Sequence, residues 1–123
     1  MTRNALRVYF AFVFAAMLLL TVLASLQQDL LTAAVALWPD GWFRATLADA
    51  YFGFLAFWLW IAYRDPAWGA RLAWLAGVLL LGNFAMAGYA LIALYRLPAG
   101  RPAWQVLLRP EHLPPVQPVA TPR

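Results

Sequence analysis

The sequence predicts an all-α integral membrane protein of three transmembrane helices, with a tight hairpin between the second and third. Three observations carry that prediction. The chain is 65% hydrophobic and only 11% charged, against roughly 45–50% and about 25% in soluble domains. Three stretches, residues 8–28, 45–63 and 72–95, are long enough to cross a bilayer core and hold one acid between them, Asp49. Arginines stand near their ends. A soluble core cannot absorb this excess, because a chain of 123 residues buries only about two-thirds of its surface.

The first stretch, residues 8–28, follows Arg3 and Arg7 and carries no charge. A cleaved signal peptide has a similar outline, with Val22-Leu23-Ala24 as its cleavage pattern. The apolar run is long for that role, and more apolar sequence follows it, so it reads as an uncleaved span. Residues 30–38 are apolar but too short to cross; they predict a turn or two of helix in the interface, or an extension of the first helix. Trp38-Pro39-Asp40-Gly41-Trp42 is a turn by its Pro, Asp and Gly, with two tryptophans suited to headgroup depth.

The second span, residues 45–63, lies between Arg44 and Arg64. The connector Arg64-Asp65-Pro66-Ala67-Trp68-Gly69-Ala70-Arg71 is so short that the spans it joins must lie antiparallel. The third span, residues 72–95, closes at Arg96. Residues 1–109 therefore form one membrane domain, in which residues 104–108 supply an apolar patch for the headgroups. Residues 110–123 are Pro-rich and predict an extended, disordered tail.

Helices in lipid associate through small residues and hydrogen bonds. Gly53 lies eleven residues before Arg64, and Gly82 eleven after Arg71, so the hairpin sets them at one height. Thr46, Asp49, Gly53 and Ala56 share a face by their spacing of three and four. Asn83 and Ala87 do the same in the third span, with Ala76 and Ala90. The two faces are expected to meet, with Thr46, Gly53, Gly82 and Ala87 as packing residues and Asp49 within a turn of Asn83 in depth. Three readings of Asp49 stay open: a structural hydrogen bond to Asn83, Thr46 or a Tyr hydroxyl; a shallow acid wetted by headgroup water; or a proton, cation or polar-substrate site. An Asp at the centre of a span costs roughly 2.5–3.5 kcal/mol on insertion scales. A shallower one costs less.

The chemistry-bearing side chains are few. There is no cysteine, which removes disulfides and thiolate chemistry. The single histidine, His112, lies in the tail, so no helix-borne His can hold haem. Ser25 is the one serine and has no His partner. No two of Asp29, Asp40, Asp49, Asp65 and Glu111 stand at a spacing that forces a catalytic dyad. No catalytic, cofactor-binding or metal site is expected, nor an enzyme acting alone. The net charge of +4 comes from nine arginines and no lysine, spread singly or in pairs at span ends. That is the placement of interface anchors, not of a nucleic-acid surface. Arg96, Arg101 and Arg109 are candidate contacts for anionic headgroups.

Trp58, Trp60, Tyr63 and Trp68 read as an aromatic belt at one membrane face; Trp38, Trp42, Tyr95 and Trp104 read as the belt at the other. Three crossings put Arg3, Arg7, Arg64 and Arg71 on one side, and Arg44, Arg96, Arg101 and Arg109 on the other. That tie leaves the orientation undecided by charge alone. The first span favours a cytoplasmic N-terminus and an outer C-terminus, in a bacterial inner membrane.

Several short words in order resemble a known family: Trp42, Ala45-Thr46-Leu47, Asp49 and Tyr51; Tyr63-Arg64-Asp65; Leu81-Gly82-Asn83; and Trp104-Gln105-Val106-Leu107-Leu108. The chain is similar over residues 6–109 to the small membrane proteins of domain-of-unknown-function family 1475, which often carry Glu where Asp65 stands. The resemblance implies a three-helix membrane fold, no stated activity, and Asp49 and Asn83 as parts of a shared pattern. The expected role is a non-enzymatic accessory or scaffold subunit binding partners or lipid, within a homo-oligomer or larger complex. The alternatives are a homo-oligomeric transporter or channel lined by Asp49 and Asn83, and an auxiliary part of a membrane enzyme handling lipid or quinone.

Overall fold

A computed structural model describes residues 2–115. It is all-helical, with no strand among the described residues: α1 Arg3–Gln27, α2 Leu30–Leu37, α3 Gly41–Arg64, α4 Trp68–Leu81 and α5 Asn83–Arg96, then 3-10 turns at Ala103–Leu107 and Pro110–His112. Two helices, α1 and α3, are long and apolar enough to cross a membrane.

The N-termini of the first three helices are set by polar caps placed in an apolar sequence. Each cap satisfies a backbone donor that the helix itself cannot. The Thr2 hydroxyl accepts from Ala5 N–H at 3.2 Å, and the Asp40 carboxylate accepts from Phe43 N–H at 2.9 Å. Asp29 starts α2 by accepting from Thr32 N–H at 3.0 Å and from the Thr32 hydroxyl. Of residues 30–38, Leu30–Leu37 thus form a separate two-turn helix and not a continuation of α1.

The side-chain and backbone donors of Thr32 hold the Asp29 carboxyl below its ordinary pKa. A depressed acid stabilises the fold in its charged form. This contribution is therefore full above about pH 3.9, the unfolded value, and is lost as pH falls through the lower folded value. The Thr32 amide resonance should titrate with a midpoint below that of an ordinary Asp. Thr32→Val should raise the midpoint, and an unchanged midpoint would remove the hydroxyl as its cause.

The third predicted span is not one helix. It divides at Gly82, whose φ of 55° and ψ of −129° lie where only glycine is at ease. Helical bonding is intact on both sides, with Gly82 N–H donating to Val78 O at 2.8 Å and Met86 N–H to Gly82 O at 3.1 Å. Beyond the break the chain turns back. The rings of Trp74 and Tyr89 sit with centroids 5.0 Å apart, although fifteen residues of straight helix would separate them by roughly 22 Å. The helices α4 and α5 have 14 residues each, or about 21 Å of length, short of a bilayer core of about 30 Å.

The packing follows from this reversal. Helix α4 lies antiparallel on α3, tied by Trp58 Nε1–H to Arg71 O at 2.9 Å and by the Tyr51 hydroxyl to Leu79 O at 3.2 Å. Helix α5 lies antiparallel on α1, where Phe14 stacks on Phe84 at 4.0 Å and Arg7 donates to Leu94 O at 3.2 Å. Small residues let α5 approach its neighbours closely; Ala85, Ala87, Ala90 and Ala93 are all buried. The core joins Ile61, Val78, Tyr89 and Leu94 to Leu97 and Val106 of the following segment. Residues 104–108, expected on the headgroups, instead bury Gln105 and Val106, while Trp104 and Leu107 stay exposed. Leu113 packs against the same core. Of the tail expected to be disordered, residues 116–123 lie outside the described residues. The second half of α1 and nearly all of α2 meet little: Leu20, Leu26, Leu30, Leu31 and Val35 are exposed.

Candidate functional site

The face expected to join the second and third spans is not the one used. Thr46, Asp49, Gly53 and Ala56 are all exposed, and a Cβ at Gly53 would meet nothing within 4 Å. The expected height is nearly right, because the next residue, Phe54, lays its ring on Gly82. A Cβ there would fall 2.7 Å from Phe54 Cζ. The working face is Phe54, Phe57, Trp58 and Ile61, at helical spacing. Large rings on α3 seat against small residues and bare backbone opposite, in place of the small-against-small packing expected. Gly82 and Ala87 are buried as packing residues, and Ala87 lies on the helix that pairs with α1. Asp49 and Asn83 are both exposed, and no hydrogen bond joins them among the described residues.

The polar chemistry gathers elsewhere. Because α5 returns along α1, its C-terminus meets the N-terminus of α1 and the C-terminus of α3. Arg3 donates to the carbonyls of Pro98 and Arg101. The Arg7 guanidinium lies 4.3 Å from the Tyr95 ring centroid. Arg64 Nε donates to Leu108 O at 3.3 Å, and Arg71 Nε to Asp65 O at 2.7 Å. Arg109 donates to Tyr63 O and covers the Tyr63 ring. Seven of the eight arginines among the described residues therefore stand at one end of the molecule, and only Arg44 stands at the other. Tyr95 and Trp104, assigned from sequence to the far belt, share this end with Trp60 and Trp68.

At this end an open cleft of about 630 Å³ lies between the α3–α4 connector, α5 and the segment after it. Arg64, Arg96 and Arg101 line it, opposed by Asp65 and Glu111. Its floor is the aromatic centre of the fold. Tyr89, 7% exposed, touches Trp74 on α4 and Trp60 on α3, the latter with ring centroids at 5.5 Å. The Arg64 guanidinium lies 5.5 Å from the Trp60 ring and 5.8 Å from that of Tyr89. Arg101 is braced by Gln105 Oε1 at 3.1 Å and Pro114 O at 2.8 Å, while its Nε–H is buried without a partner. Arg96 is exposed. Fixed guanidinium groups over an aromatic floor can receive an anionic, phosphate-like group by paired N–H donors.

Of the three arginines proposed from sequence as headgroup contacts, the fold brings Arg96 and Arg101 into the cleft and engages Arg109 with Tyr63. Arg64 and Tyr89 carry no sequence signal of their place in it. Three full crossings would set Arg64 on the face opposite Arg96, and only Gly82 with the neighbouring Asn83 marks the reversal in the apolar run. No group of three or more His, Cys, Asp or Glu able to hold a metal occurs among the described residues.

A family model described as "Protein of unknown function (DUF1475)" matches residues 4–113. No curated protein and no solved structure matches the chain.

Proposed function

Because the chain belongs to the DUF1475 family, which is defined by sequence and not by an activity, we propose its role from the fold. It is a small integral membrane protein that works by binding: an accessory or scaffold subunit whose arginine-rich end lies at the cytoplasmic surface. Helices α1 and α3 cross the bilayer, and α4 and α5 enter it and return. The observation that carries this reading is the reversal at Gly82, which turns an arginine count of four against four into seven against one. Positive charge is retained on the cytoplasmic side, so both ends of the described chain lie there. The exposed leucines of α1 and α2 support lipid as the surrounding solvent, since contiguous apolar surface of this extent is rare on soluble monomers.

The absence of cysteine makes single-cysteine labelling a direct test. Cysteines at Thr2 and Pro102 should react with an impermeant maleimide in inside-out vesicles, and one at Gly41 in right-side-out vesicles. If positions 2 and 102 label from opposite sides, the reading of the reversal is lost. Extraction of the protein by alkaline carbonate would remove the membrane reading altogether.

A further inference from the structure

We propose that the arginine cleft holds the phosphate-bearing head of an anionic amphiphile whose acyl chain lies in a neighbouring apolar groove; this rests on the membrane reading above. The cleft supplies the charge, three arginines against two carboxylates. Arg64 and Arg101 are already fixed by hydrogen bonds to Leu108 O, Gln105 and Pro114 O, so little further side-chain freedom is lost when an anion arrives. Among the described residues, Arg96 is held by none of the side-chain hydrogen bonds that fix the other arginines at this end, and it is free to close on a ligand.

The second half of the site is apolar. A groove of about 390 Å³ runs between α1, α4 and α5, walled by Phe14, Gly77, Leu81, Phe84 and Gly88. Trp74 lines both the groove and the cleft. A charged pocket and a greasy channel that share one wall suit a molecule with a charged end and a hydrocarbon end. Free phosphate uses the first alone, and a neutral hydrocarbon the second alone. A Cβ at Gly77 would touch Ala85, and one at Gly88 would touch Phe14.

The test uses the purified full chain in detergent with three probes: dihexanoyl phosphatidic acid, dihexanoyl phosphatidylcholine and inorganic phosphate. Loss of one charge-assisted guanidinium contact is worth about tenfold in affinity. Arg96→Ala should therefore raise the dissociation constant of the phosphatidic acid about tenfold, Arg96→Lys less, and Arg44→Ala at the far end not at all. Ala73→Trp, at an exposed position lining the groove, should weaken the lipid but not inorganic phosphate. Equal losses in Arg96→Ala and Arg44→Ala would mean nonspecific charge attraction and overturn the proposal. So would equal binding of the phosphatidylcholine, or competition by inorganic phosphate at the same concentration as the lipid. A protein that stays in the membrane with position 102 cytoplasmic yet shows no selective binding overturns this inference alone. A carbonate-extracted protein overturns the membrane reading as well.

Discussion

Gly82→Ala is expected to destabilise the protein by about 2–6 kcal/mol and to loosen or undo the return of α5. Two separate costs contribute. An alanine at φ 55°, ψ −129° occupies a backbone region that only glycine enters freely, at about 1–3 kcal/mol. Its Cβ would also stand 2.7 Å from Phe54 Cζ, and overpacking of this kind costs about 1–3 kcal/mol more. The same change favours continuous helix through residues 81–83, since Ala is about 1 kcal/mol better than Gly in a helix interior. A continuous third helix would carry residues 96–109 away from Arg3 and Arg64 to the other end of the molecule. Thermal unfolding in detergent measures the first effect, and maleimide labelling of a cysteine at position 102 measures the second. Adding Phe54→Ala separates the causes: it relieves the clash but not the backbone strain, so the double mutant should cost less than the two single changes together. Wild-type stability in Gly82→Ala, with a cysteine at position 102 labelled as it is without the change, would mean that the bend does not depend on glycine.

Tyr89→Ala should be the most damaging truncation in the core, costing about 3–5 kcal/mol as large aromatic-to-Ala changes do. Tyr89 is where the halves of the molecule touch. Its ring centroid stands 5.0 Å from Trp74, 5.5 Å from Trp60 and 6.3 Å from Phe57, all edge to face. Such pairs contribute about 0.5–1.5 kcal/mol each beyond the area they bury. Tyr89→Phe keeps the ring and should stay within about 1.5 kcal/mol of wild type. Tryptophan fluorescence gives an independent readout, because removing the ring exposes Trp60 and Trp74 and should shift emission to the red for Ala but not for Phe. Equal stability of the Ala and Phe variants would show that the aromatic cluster does not hold α3, α4 and α5 together.

Both experiments probe what composition could not show. The sequence by itself determined that the chain is helical, where its polar punctuation falls, and the family to which it belongs. Thr2, Asp29 and Asp40 cap helices because an apolar sequence offers few other oxygens to the free N–H groups at a helix start. The antiparallel pairing of α3 with its successor followed from a connector too short to allow anything else. The height of contact between Gly82 and the second span was legible to within one residue, since depth is simply residues counted from that connector.

Only the tertiary structure decided which faces meet, where the third apolar stretch reverses, and therefore where the arginines gather. From Ala48 to Trp58 nearly every face of the helix is apolar, so periodicity does not single one out, and the small-residue rule chose Gly53 where Phe54 makes the contact. The break is marked only by Gly82 and Asn83, two residues that an apolar helix also tolerates, and Gly82 N–H still completes the last bond of α4 to Val78 O. Residues 72–95 read alike as one long helix or two short ones. The end of the molecule at which Arg96, Arg101 and Arg109 lie depends on whether this stretch reverses. A single glycine with positive φ, its Cβ position taken by the ring of Phe54, makes that reversal and brings the arginines to one cleft.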